Sequence, residues 1–373
     1  MPNWPRCRCR CCKPFWALRH DRLCRFHRYG DSRKNTVINQ VKLDHFGPLA
    51  HVHWPHLGKI NLVIGGNGSG KTFLLKAIYS SLRTLEDYKR GNEQRSAAEI
   101  LADKLYWTFQ AEKIGDLVSK GADAPLSSAM LVDHQNFSYS FGKDTSKQIS
   151  NLENQVPPRA SNSIFLPAKE VLSLHHIILK SREQDKVFGF DDTYFDLAKA
   201  LRIATTKGNN FAEFAKSRRQ LEGILGGVIE YDEASGHWLF AKGRHKFPIG
   251  VTAEGIKKIA ILDTLLGNRY LDTQSVVLID EPESALHPTA ISQLLDIVAM
   301  LAERGIQFFL ASHSYFVVKK LFLLAQEKNW SIPVISASGD QWLCADLNEG
   351  MPDNPIIAES IRLYEEEVKL ALQ

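Results

Sequence analysis

Cysteine is almost missing from the body of this chain. Six are present in 373 residues, and five of them (Cys7, Cys9, Cys11, Cys12 and Cys24) fall in the first 35, leaving Cys344 for the rest. That distribution excludes a small secreted fold stapled by disulfides. Long apolar runs are lacking too: Ile306 to Ala311 is typical, far short of the roughly 20 residues a spanning helix needs. The start, MPNWPRCRCRCCKPFW, carries arginines with no continuous apolar stretch behind them, unlike a secretory signal. No internal repeat and no low-complexity tract is present. A cytoplasmic protein without a membrane partner is expected.

Charge is present but uneven. The net is +4, yet residues 1–35 hold ten Lys and Arg against two Asp, so the remaining 36 basic and 40 acidic residues leave the body at −4. The basic excess is a property of the first 35 residues, which have no helical or strand periodicity and read as a basic, Cys-rich, disordered tail. An alternative for that tail is a zinc site, in which Cys7, Cys9, Cys11 or Cys12 joins Cys24 and His27, since Cys24-x-x-His27 is workable ligand spacing. A short basic stretch with Trp4, Phe15 and Trp16 is also compatible with nucleic acid.

After the tail the chain divides into a lobe at 36–85, an inserted lid or arm at 86–160, and a remainder at 161–373. The lobe alternates short apolar segments with turns, as in a small antiparallel sheet, and leads to an apolar strand at Ile60–Ile64 followed by a helix over 72–85. The remainder alternates strands with helices, among them a helix from Thr252 as N-cap to a Gly267-Asn268 stop, and one starting at Pro288. Apolar strands without alternation, separated by helices, indicate a mostly parallel sheet covered on both faces. The fold class is therefore α/β. The closing helix, with Ile357, Ile361, Tyr364 and Val368 on one face, reads as core packing.

Two motifs carry chemistry. GGNGSGKT, Gly65 to Thr72, fits the phosphate-loop pattern and lies between a strand and a helix, the context that pattern requires. Gly65, Asn67, Gly68, Ser69 and Gly70 let backbone N–H groups crowd around phosphate oxygens at a helix start. Lys71 then reaches the β- and γ-phosphates, and Thr72 ligates Mg²⁺. The second motif, SVVLIDEPESALHP from Ser275, is an apolar strand ending in acids. Asp280 is suited to hold Mg²⁺, and Glu281 to take a proton from the attacking water. ATP and Mg²⁺ are the expected ligands.

These motifs, with FFLASHS at 308–314, resemble the ABC-type P-loop ATPases of the SMC, RecF and overcome-lysogenization-defect group, and in particular compact prokaryotic ATPases of phage-defence operons. The resemblance covers roughly residues 36–330. It implies an ABC-type core with an N-terminal antiparallel β subdomain and an inserted helical arm, a D-loop at Ser284 and Ala285, and a switch histidine at His313. It implies as well that Glu254 and Gly255, in place of the full signature, meet the nucleotide of a partner protomer in a head-to-tail dimer. Lys169 and Glu170 stand where the group has a glutamine. The implied function is ATP hydrolysis controlling a separate effector chain. Two alternatives stand beside it: a DNA-repair or DNA-organising ATPase, and an ATP-dependent scaffold.

Overall fold

The central strands Ile60–Ile64, Val276–Asp280 and Gln307–Ser312 are buried at every position because both of their faces are covered. In the computed structural model, which describes residues 36–204, 214–339 and 341–372, Leu62 and Ile64 face one buried cluster while Val63, between them, faces another. The residues expected to form the basic tail, with the zinc candidates Cys7, Cys9, Cys24 and His27, lie outside the described residues.

The chain runs β1 (Ile38–Phe46), β2 (Leu49–Trp54), β3 (Ile60–Ile64), α1 (Lys71–Asp87), α2 (Ala97–Phe109), β4 (Leu126–Val132), β5 (Gln135–Phe141), β6 (Asn151–Asn154) and β7 (Ile164–Leu166). It continues through α3 (His175–Glu183), α4 (Asp192–Leu201), α5 (Ala215–Leu225), β8 (Val228–Asp232), β9 (His237–Lys242), β10 (His245–Pro248) and α6 (Glu254–Gly267). The last part is β11 (Val276–Asp280), α7 (Pro288–Glu303), β12 (Gln307–Ser312), α8 (Tyr315–Lys328), β13 (Pro333–Ser338), β14 (Gln341–Asp346) and α9 (Pro355–Ala371).

Six strands make the central sheet in the order β14-β13-β3-β12-β11-β7. All neighbours are parallel except the edge pair β13 and β14. β3 lies between β13 and β12, so the acid-bearing β11 is one strand further from the phosphate loop. A second sheet, β2-β1-β4-β5-β6, is antiparallel. Its strands β4 and β5 alternate buried and less buried residues, the period of a half-covered sheet, and their inward residues pack with α1 and α2. A third sheet, β10-β9-β8, precedes α6.

Segment 86–160, expected as a lid or arm, contributes α2 and three strands that extend the N-terminal sheet. In β5 its polar residues Asn136, Ser138 and Ser140 alternate with buried Phe137, Tyr139 and Phe141, which is part of why the sequence there looks mixed. Two expectations are corrected. α6 has Ala253 rather than Thr252 as N-cap, with no side-chain cap, because a short 3₁₀ turn at Ile249–Val251 occupies the approach. α9 is not core packing: Ile357 is buried, but Ile361 is 52% and Tyr364 66% exposed, since only the first turn of the helix meets the body.

Buried polar side chains join the sheets. Gln307, at the start of β12, accepts from Ile38 N at 2.8 Å and donates to Ile38 O and Gly58 O, both at 2.9 Å. The first residue of β1 is thereby hung from the central sheet. Away from it, α1, α2 and α4 share buried charges: the Lys104 ammonium lies 3.4 Å from Asp192 and 3.2 Å from Asp196, and Arg83 pairs with Glu86 at 2.9 Å.

Candidate functional site

Gly70 sets the geometry of the phosphate loop. It is the N-cap of α1 with φ +91°, and a Cβ there would lie 2.9 Å from Leu49 Cδ2, so both backbone and space require glycine. The start of α1 has no side-chain cap and no acid in its first turn. Its leading N–H groups are left for an anion. Gly66, Asn67 and Gly68 are exposed at the crest of the loop, while Gly65 is buried at its base. Lys71 Nζ folds back to donate to Gly65 O at 2.9 Å and Gly66 O at 2.8 Å. Burial lowers the Lys71 pKa from its ordinary value, against the opposing pull of Asp280, Glu281 and Glu283.

Thr72 Oγ1 donates to Asp280 Oδ2 at 2.8 Å. The other oxygen, Asp280 Oδ1, is buried without a hydrogen-bond partner, as is Ser69 Oγ in the loop. Burial raises the Asp280 pKa above the usual carboxylate value. A buried carboxylate oxygen and a buried hydroxyl left unsatisfied side by side with a phosphate loop are the donor set a hard cation and its phosphate would complete. Among the described residues no group of three or more His, Cys, Asp or Glu is arranged to hold a metal. A cation at Thr72 and Asp280 would therefore draw its remaining ligands from phosphate oxygens and water.

After Asp280 the chain turns sharply. Glu281 has φ +47° and Ala285 φ +61°, values that side-chain-bearing residues seldom adopt. Glu281 N–H donates to Ala311 O at 2.9 Å, carrying the β11–β12 pairing one residue past the strand. His313 Nδ1 stands 3.5 Å from Glu281 Oε1 and 3.6 Å from Glu283 Oε1. Glu283 in turn accepts from Ser312 Oγ at 2.8 Å and from His313 N–H at 3.2 Å. Sequence reasoning gave Glu283 no separate role; its signal was its place as the third acid of DEPES.

The signature-like start lies beside this turn in the same chain. A Cβ on Gly255 would be 2.4 Å from Leu286 Cδ2 and 3.0 Å from Ala285 O, so the glycine permits α6 to press against the Ser284–Leu286 segment. Glu254 is the first residue of that helix. Beyond β7, the Glu170 carboxylate accepts from Ser173 N–H at 3.0 Å, and Lys169 and Glu170 line a cavity of about 260 Å³ with Lys257, Ser284 and Ala285. No helix of the described residues is long and apolar enough to cross a membrane.

Residues 60–319 match the protein family described as "AAA domain, putative AbiEii toxin, Type IV TA system". No curated protein matches the chain. Among solved structures it is similar to an SMC head bound to the C-terminal winged-helix domain of ScpA, at 13% identity and a TM-score of 0.50 over 83% of this chain and 97% of that one. It is also similar to the SMC head domain of Thermotoga maritima (13%, 0.45, 83% and 99%) and to the recombination mediator RecF with ATP (14%, 0.42, 83% and 99%). The family match spans well over half of the chain and includes the phosphate loop, the acid turn and His313, so the protein belongs to this AAA-domain family and has the ABC-type P-loop ATPase fold of SMC heads.

Proposed function

We propose that the chain binds ATP with Mg²⁺ and hydrolyses it in a head-to-tail dimer, as the regulatory ATPase of a phage-defence system acting on a separate effector. The observation that carries the hydrolytic part is the meeting, at the ends of three neighbouring strands, of the Thr72–Asp280 bond with the Glu281–His313 pair. The defence part is supported by the family match alone.

In this reading Lys71 leaves the loop carbonyls for the β- and γ-phosphates, and backbone N–H groups from Gly65 to Thr72 hold the phosphate oxygens. Thr72 and Asp280 would hold Mg²⁺, which when bound neutralises charge on those oxygens. Glu281, 35% exposed at its side chain, orients a water and takes its proton on a carboxylate oxygen. His313 donates toward the γ-phosphate from the end of β12. Ser284 and Ala285, with Glu254 and Gly255, form the face offered to the partner protomer. Calorimetry with Mg²⁺ and ATP tests the core of this: Lys71→Ala is expected to lose tight binding, and unchanged affinity would refute the assignment.

A further inference from the structure

Glu281 holds an uncommon backbone conformation, and its carbonyl is fastened from outside its own turn. Lys258, one helical turn beyond Gly255 on α6, donates from Nζ to Glu281 O at 2.7 Å. The same oxygen accepts Ser284 N–H at 3.0 Å, and Glu281 N–H is tied to Ala311 O. With φ at +47°, the residue is in a region where its side chain crowds the backbone. The two N–H bonds belong to the strand pair and the turn. The ammonium bond is charge-assisted, the stronger kind, and comes from a separate helix.

We infer that Lys258 is a positioning residue for Glu281: by holding the carbonyl it fixes the left-handed turn that aims the carboxylate beside His313, and so ties the start of α6 to the water-activating group. The inference rests on the reading of Glu281 as the base. Residues 255 and 258 are three apart and share a helical face, so α6 meets the acid turn twice, by close packing at Gly255 and by the hydrogen bond at Lys258. Displacement of the first turn of α6 therefore moves the Glu281 backbone without passing through the nucleotide.

The test compares full-length wild type with Lys258→Met, Lys258→Arg and Glu281→Gln, measuring kcat, KM, ATP affinity by calorimetry, and thermal unfolding. Methionine keeps most of the stem and removes the donor. Its kcat is expected to fall about 10²-fold, the scale of a misplaced catalytic group, with ATP affinity and melting temperature retained. Arginine, which still presents donors, is expected to restore most of the rate. If the methionine variant does not fold, Lys258→Leu, which likewise lacks a donor, is read by the same criteria. Wild-type kcat in Lys258→Met, with Glu281→Gln inactive, would overturn this inference alone. Joint loss of rate, affinity and melting temperature without rescue by arginine would overturn it also, in favour of a general packing role. Wild-type turnover in Glu281→Gln would instead sink the base assignment, and the inference with it.

Discussion

Thr72 Oγ1 and Asp280 Oδ2 are 2.8 Å apart, although 208 positions separate the two residues in the chain. The bond closes the gap between the first turn of α1 and the end of β11 across the intervening β12. It uses one oxygen of a buried carboxylate and leaves the other unsatisfied. The same arrangement that costs stability without ligand is what a cation and a phosphate would reward, the usual trade between a strained site and a stable one.

Glu281→Gln keeps size and hydrogen bonding but cannot take up the proton. Turnover is expected to fall by about 10²–10⁴-fold while ATP binding survives. If ATP completes a head-to-tail interface, this variant accumulates as a dimer with ATP and Mg²⁺. Light scattering reads that directly, and an ATP-loaded variant that stays monomeric would rule out the sandwich.

Gly255 packs against its own chain, so a charged substitution there cannot report on a partner's phosphate in isolation. Gly255→Ala already forces a Cβ into Leu286 and Ala285. Overpacking of this kind costs about 1–3 kcal/mol, and a lowered melting temperature is expected in the nucleotide-free protein. An alanine variant as stable as wild type, yet unable to dimerise, would place the residue's main contact across the interface instead.

Gln307 satisfies three backbone groups on Ile38 and Gly58. Gln307→Leu preserves much of the volume and takes this partner from Ile38 N–H and Ile38 O, while Gly58 O keeps the Asn61 amide at 2.8 Å. Each buried group left unpaired costs about 1–3 kcal/mol, so urea denaturation should show a loss of at least that size. A neutral effect would mean that water replaces the amide.

The Asp192 carboxyl, pushed up to about 6 by burial against the pull of Lys104, gives a pH dependence. Its pKa is higher folded than unfolded, so the folded state binds its proton more tightly and is favoured at low pH. That contribution is complete below the unfolded value of about 3.9 and is lost as pH rises through about 6. Asp192→Asn should flatten the stability curve between those limits; a slope equal to wild type would assign the titration elsewhere.

The central sheet and the nucleotide site could be read in the sequence because their signals are local. A largely apolar strand ending in glycines or acids states both its burial and its chemistry within about a dozen residues, as in Ile60–Thr72 and Val276–Glu283. Segment 86–160 was harder, since β4 pairs with the distant β1 and β5 and β6 build outward from it, and their pattern makes sense only once that partner is known. The network of Arg83, Lys104, Asp192 and Asp196 was not legible for a similar reason: its members come from three helices and carry no spacing that links them. Glu283 was visible as an acid, but its bonds to Ser312 and His313 depend on β11 and β12 lying side by side.

α9 makes a last point about cooperativity. Seventeen residues long and anchored by Ile357 in its first turn, it draws little of its stability from tertiary packing. Most helical stability in proteins comes from tertiary packing rather than propensity, and here the helix is helped by pairs such as Arg362 with Glu359 and Glu366. The part beyond the first turn is therefore expected to open locally, apart from global unfolding of the sheet. Its backbone amides are expected to exchange with solvent before those of β3, β11 and β12.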